Sequence, residues 1–139
     1  MAEYSGDITG NAVTVTNGVY LSSTQTLTNK RINPRVGSVA SSATPTINTD
    51  NYDAYKITAL ATNITSFTTN LSGTPVDFQK LTIRILDNGT GRTVAWGTSF
   101  QAMGADLPTA TTAGKVTTVG LVYDSVDSKW GCVAVSEEA

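Results

Sequence analysis

Apolar residues in this chain recur at every second position, and no segment repeats them at helical spacing. In Gln79-Lys-Leu-Thr-Ile-Arg-Ile85, the residues Leu81, Ile83 and Ile85 share one face, with Thr82 and Arg84 opposite. Near the C-terminus Val119, Leu121 and Tyr123 alternate with Gly120 and Val122. A pleated strand sends successive side chains to opposite faces, so a period of two marks a half-buried strand. The best helical candidate, Asp77-Phe-Gln-Lys-Leu81, is too short to matter. The chain is therefore expected to be all-β.

Further short strands are expected at Val36–Ala40, Thr46–Asn48, Ala54–Leu60 and Ile64–Thr68. Asp87-Asn-Gly89 is a hairpin signal, with Arg92-Thr-Val-Ala-Trp96 as the returning strand. Asp124-Ser-Val-Asp-Ser128 turns the chain into Lys129-Trp-Gly-Cys-Val-Ala-Val135. Short strands separated by frequent turns describe a β-sandwich or barrel, and a β-sandwich/jelly-roll-like domain is expected over residues 36–139. Residues 1–35 differ. They hold Val13-Thr-Val-Thr-Asn-Gly-Val-Tyr-Leu21 and Thr24-Gln-Thr-Leu-Thr-Asn-Lys-Arg-Ile32, closing at Asn33-Pro34. A lone two-stranded hairpin is marginal in water, and this segment has too few large apolar residues for its own core. It reads as an extended N-terminal arm with a reach of about 115 Å, ordering against a partner. Val13, Val15, Val19, Tyr20 and Leu21 are its apolar contact candidates.

Composition narrows the chemistry. Among 139 residues there is no histidine and one cysteine, and 24 Thr with 12 Ser supply abundant hydroxyls. Without imidazole there is no Ser-His-Asp or Cys-His pair. One cysteine rules out an internal disulfide and a Cys/His zinc site. Only 14% of residues are charged, against about 25% in ordinary domains. No stretch approaches the roughly 20 apolar residues that cross a bilayer, and Met1-Ala-Glu-Tyr-Ser-Gly6 lacks the marks of a secretory signal. No membrane association is expected, and synthesis in the cytoplasm is. A pI of about 4.8 argues against nucleic acid.

Lys30, Arg31 and Arg35 concentrate positive charge in a sparsely charged chain. They read either as an anchor on an acidic surface or as a solvated junction between arm and head. Three charges do not make the multi-phosphate contact that holds DNA in salt. Asp50 with Asp53, and Asp124 with Asp127, carry oxygens of the kind calcium takes, but lack the ligand spacing of a dedicated loop. Asx turns explain them. A glycosidase pair cannot be named from spacing along the chain. Trp96 and Trp130 lie among alternating apolar neighbours and read as core or subunit-interface residues, although exposed tryptophans stack on sugars. Cys132 reads as a small core residue, and Asp87 as a hairpin residue. The sequons at Asn63, Asn70 and Asn88 are expected by chance in a chain so rich in Thr and Asn. No catalytic residue, cofactor or metal site is expected.

The string Thr24-Gln-Thr-Leu-Thr-Asn-Lys-Arg-Ile32 resembles a motif, roughly TQTLTNKTI, of tail-fibre and other virion proteins of tailed bacteriophages. The head resembles a domain of phage structural proteins through Asn51-Tyr-Asp-Ala-Tyr-Lys-Ile-Thr-Ala-Leu60, Asn63-Ile-Thr-Ser-Phe67, Gly73-Thr-Pro-Val-Asp77, Lys80-Leu-Thr-Ile-Arg84, Asp87-Asn-Gly-Thr90 and Asp127-Ser-Lys-Trp130. The resemblance implies a virion component, commonly a homotrimer. A 139-residue chain starting at Met1 looks more like a capsid decoration (cement) protein than a complete tail fibre. Its partners would be the major capsid protein and copies of itself, on the outer capsid surface. The alternative is a short tail or capsid fibre recognising host surface glycans.

Overall fold

The structure, a computed structural model, describes residues 24, 26 and 28–139. The chain divides into two units at Ile32 and Asn33. Residues 28–32 have no regular secondary structure and are exposed. The second unit has eight strands: β1 (Val36–Val39), β2 (Ile47–Asn48), β3 (Ala54–Leu60), β4 (Leu71–Ser72), β5 (Lys80–Asp87), β6 (Phe100–Ala102), β7 (Val116–Asp124) and β8 (Lys129–Glu137). The described residues contain no helix, so the all-β expectation holds.

The main sheet runs β1-β3-β5-β7-β8-β6. β1, β3 and β5 are parallel and in step. Gly37, Tyr55 and Ile83 are level, and so are Val39, Ile57 and Ile85. A second parallel pair forms between β2 and β4, and an isolated parallel bridge joins Ile64 to Val94. Successive stretches of chain are thus laid over one another in the same direction, like the coils of a solenoid. β7 then pairs antiparallel with β5 and with β8.

This stacking corrects the jelly-roll expectation, in which neighbouring strands run antiparallel. Parallel neighbours need a crossover rather than a tight turn. Here residues 40–53, containing β2, and residues 61–79, containing β4, provide the crossovers. The decisive departure is at Asp87. Its Oδ1 accepts hydrogen bonds from the backbone N–H groups of Gly89, Thr90 and Gly91 at 2.8, 2.9 and 3.0 Å. The chain wraps round the carboxylate and leaves the sheet instead of folding back on β5. Arg92–Trp96 therefore is not a returning strand; Val94 bridges Ile64 and Thr93 bridges Ala110. The place beside β5 goes to β7. The expected strand at Ile64–Thr68 shrinks to that single bridge, while β4 and β6 are too short to show alternation.

The alternating faces meet in one core. Leu81, Ile83 and Ile85 are fully buried against Ile57, Val119 and Leu121. Each such side chain contributes about 1.5–3 kcal/mol on burial. Phe67 stacks on Trp96 at 4.5 Å between ring centroids, and Phe100 meets both edge-on. The Trp96 indole N–H donates to Pro108 O at 2.8 Å. Both tryptophans and Cys132 are core residues, as their neighbours implied.

Candidate binding end of the head

β1 and β3 start level with each other, β5 starts beside them, and β7 ends beside β5 before turning into β8. One end of the sheet therefore gathers the chain entry at Arg35 and the loops 49–53, 73–79 and 125–128. Polar contacts tie these loops together. Arg35 donates from Nη2 and Nε to the two Asp53 oxygens at 2.8 and 3.1 Å, and from its backbone N–H to Oδ2 at 2.9 Å. Its Nη1 also donates to Asp50 O. The Arg35 hydrogen bonds hold the Asp53 carboxyl at a pKa of about 2, and Asp53 in turn raises that of Arg35. Asp50 Oδ1 accepts from the Thr74 backbone at 2.8 Å, Gln79 Nε2 donates to Thr49 O, and the Ser125 N–H donates to Asp77 Oδ1 at 3.0 Å.

Three large apolar side chains stand out from this scaffold: Val76 (68% exposed), Phe78 (77%) and Val126 (89%). Phe78 also has a left-handed backbone with φ of 60°, which a residue with a Cβ adopts at a cost of about 1–2 kcal/mol. Its N–H donates to Tyr123 O at 3.0 Å, and the Tyr123 N–H donates to Gln79 O at 2.8 Å. The fold thus holds an aromatic ring in water on a strained backbone. Alternation carries no mark of such a loop residue, and the sequence reading missed all three.

A cleft of about 150 Å³ opens on the same end, lined by Thr49, Leu71, Ser72, Gly73, Pro75, Ser99, Tyr123, Ser128 and Trp130. The rings of Tyr123 and Trp130 lie 5.2 Å apart, tilted by 57°. Ser128, like Phe78, is left-handed, with φ of 53°.

The candidates from sequence are distributed as follows. Val13, Val15, Val19, Tyr20 and Leu21 lie outside the described residues. Lys30 and Arg31 are exposed in the first unit. Arg35 is engaged with Asp53 of its own chain, which makes it the clasp where the chain enters the head. Asp50, Asp53 and Asp124 serve turns and this clasp, and no three acidic or sulfur ligands converge among the described residues. Burial pushes the Cys132 thiol up.

Asp87 is the buried charge that sequence undervalued. Burial alone would raise its pKa. The hydrogen bonds from Gly91, Thr111, Gly114 and Gly89 outweigh that and hold it well below the usual carboxylate range. No family model, curated protein or solved structure matches the chain.

Proposed function

We propose that this chain is a non-enzymatic virion protein of a tailed bacteriophage that decorates the outer capsid as a homotrimer and stabilises the shell. The observation that carries the reading is the string Thr24–Ile32 placed just before an all-β head. Two features of the head support it. The end of the head at which residue 35 enters it exposes Val76, Phe78 and Val126, an apolar tip available to a partner surface. Among the described residues β8 is flanked by β6 only over Trp130–Cys132, which leaves Val133–Glu137 as a sheet edge there, with Val133 and Val135 exposed. Edges of this kind take up strands from other chains.

The mechanism is multivalent clamping. Each arm binds weakly, but after the first contact the other two become intramolecular, raising avidity by roughly 10²–10⁴. Arm backbone pairs with strand edges of the major capsid protein, and apolar contact contributes about 25 cal/mol per Å² buried. Binding to the assembled shell but not to separated subunits stabilises the shell by linkage.

The test is sedimentation of purified protein with capsids. The full chain should co-sediment and raise the temperature at which capsids open, and a chain lacking residues 1–35 should do neither. Undiminished binding by the truncated chain would sink the clamping mechanism. Copy number per virion separates this reading from a tail or collar fibre, which would be present in far fewer copies.

A further inference from the structure

We propose that the open face of the main sheet docks an extended, acidic polypeptide segment. The residues that alternate with the core, Lys56 on β3 and Lys80, Thr82 and Arg84 on β5, stand on the face away from it and are exposed. Three of the nine Lys and Arg residues in the chain are thus gathered on one surface. Lys56 and Arg84 are register partners on parallel strands, about 4.8 Å apart at the backbone. Like charges set directly opposite each other destabilise a sheet. No carboxylate relieves these two, since the ion pair found among the described residues is that of Arg35 with Asp53. The acids of this face stand at its two ends. Asp124 lies opposite Lys129 and accepts the Val126 N–H, and Glu138 accepts the Val116 N–H at 3.2 Å.

The surroundings of the cations select the partner. Ser38 and Thr118 flank Lys56 and Arg84 in the same row, and Thr82, Gly120 and Ala134 form the row beside it. Small side chains leave the face flat, so another backbone can come close. Arg84 and Lys80 are four residues apart on one strand, about 13 Å. An extended peptide presents every second side chain to one face, so acidic residues at i and i+4 meet both cations while i+2 meets the Thr82 hydroxyl. The Arg84 guanidinium suits a carboxylate, which it binds through two parallel N–H donors. No strand residue of this face is aromatic, so nucleic-acid bases have nothing to stack on. Three cations also fall short of the phosphate contacts that hold duplex DNA in salt. A bilayer is entered by apolar side chains, and Phe78 and Val126 lie at the end of the sheet and not on this face. The class is therefore an acidic polypeptide. This rests on the sheet face alone and not on capsid decoration, so the two readings stand or fall separately.

The experiment is a ¹⁵N-correlation NMR titration of the full chain with poly-L-glutamate at low salt, repeated with duplex DNA and with phosphatidylserine vesicles. Poly-L-glutamate should shift the amide peaks of Lys56, Thr82, Arg84 and Thr118 saturably, and raised salt should reverse the shifts. Lys56→Gln combined with Arg84→Gln should weaken binding by about tenfold. Thr82→Glu, which sets a carboxylate between the cations, should weaken it as much. Lys115→Gln, which removes a charge from the loop before β7, should change it by less than about twofold. The double variant should have a denaturation midpoint equal to or above that of wild type, because a like-charge pair is gone. Its loss of binding is then not a loss of fold. The proposal is overturned if poly-L-glutamate gives no saturable shift, if the double variant or Thr82→Glu binds it unchanged, or if Lys115→Gln weakens it as much. It is equally overturned if duplex DNA or the vesicles shift the same amides at lower concentration.

Discussion

Asp87 Oδ2 accepts a hydrogen bond of 2.8 Å from Thr111 Oγ1, a residue 24 positions further along the chain. The other carboxylate oxygen takes four backbone N–H groups, those of Gly89, Thr90, Gly91 and Gly114. One buried side chain thus closes the loop after β5 onto the loop before β7.

Replacing Asp87 by Ala leaves these donors without an acceptor in a buried site and should destabilise the head by about 3 kcal/mol or more. Asp87→Asn keeps Oδ1 for the backbone donors and should cost about half as much. Urea denaturation of the two variants measures the difference. Equal losses would show that charge, and not acceptor geometry, is what the loops require.

Acid should weaken the fold in a defined window. A carboxyl whose folded pKa lies below its unfolded value stabilises the fold at every pH above the latter and loses that contribution as pH falls toward the former. Asp53 is lowered from 3.8 to about 2 by Arg35, and Asp87 is lowered too. The melting temperature should therefore hold down to about pH 4 and fall from there toward pH 2. High salt should reduce the exposed Arg35–Asp53 part and leave the Asp87 part, since buried hydrogen bonds are little screened. Melting curves of Asp53→Asn and wild type at both salt levels separate the two.

Phe78→Asn should leave the head as stable as before or up to about 1 kcal/mol more stable, because Asn tolerates the left-handed backbone that Phe78 occupies. On the proposed function the same variant binds capsids more weakly. A gain in stability together with a loss in retention marks a residue kept for contact. Retention unchanged would remove Phe78 from the docking surface.

Two glycines with similar backbones should respond differently to alanine. Gly73 and Gly89 have φ of 109° and 106°, but a Cβ on Gly73 would lie 2.3 Å from Thr49 Oγ1, whereas nothing lies within 4 Å of one on Gly89. Gly89→Ala should cost about 1–2 kcal/mol from backbone strain alone. Gly73→Ala should cost clearly more, read as a larger drop in the denaturation midpoint.

By itself the sequence determined which faces are buried. Leu81, Ile83, Ile85, Val119 and Leu121 were legible as core because alternation is a property of one strand and survives whatever it pairs with. The same locality explains what was not legible. A strand with one buried face reads alike beside a parallel or an antiparallel neighbour. Whether Asp87-Asn-Gly89 reverses the chain depends on Thr111 and Gly114, which only the fold brings near. The cleft is likewise made by residues from Thr49 to Trp130, whose hydroxyls and rings have no common spacing in the chain. Tertiary structure decided strand direction, the role of Asp87 and the candidate sites, since each depends on contacts between residues distant in sequence.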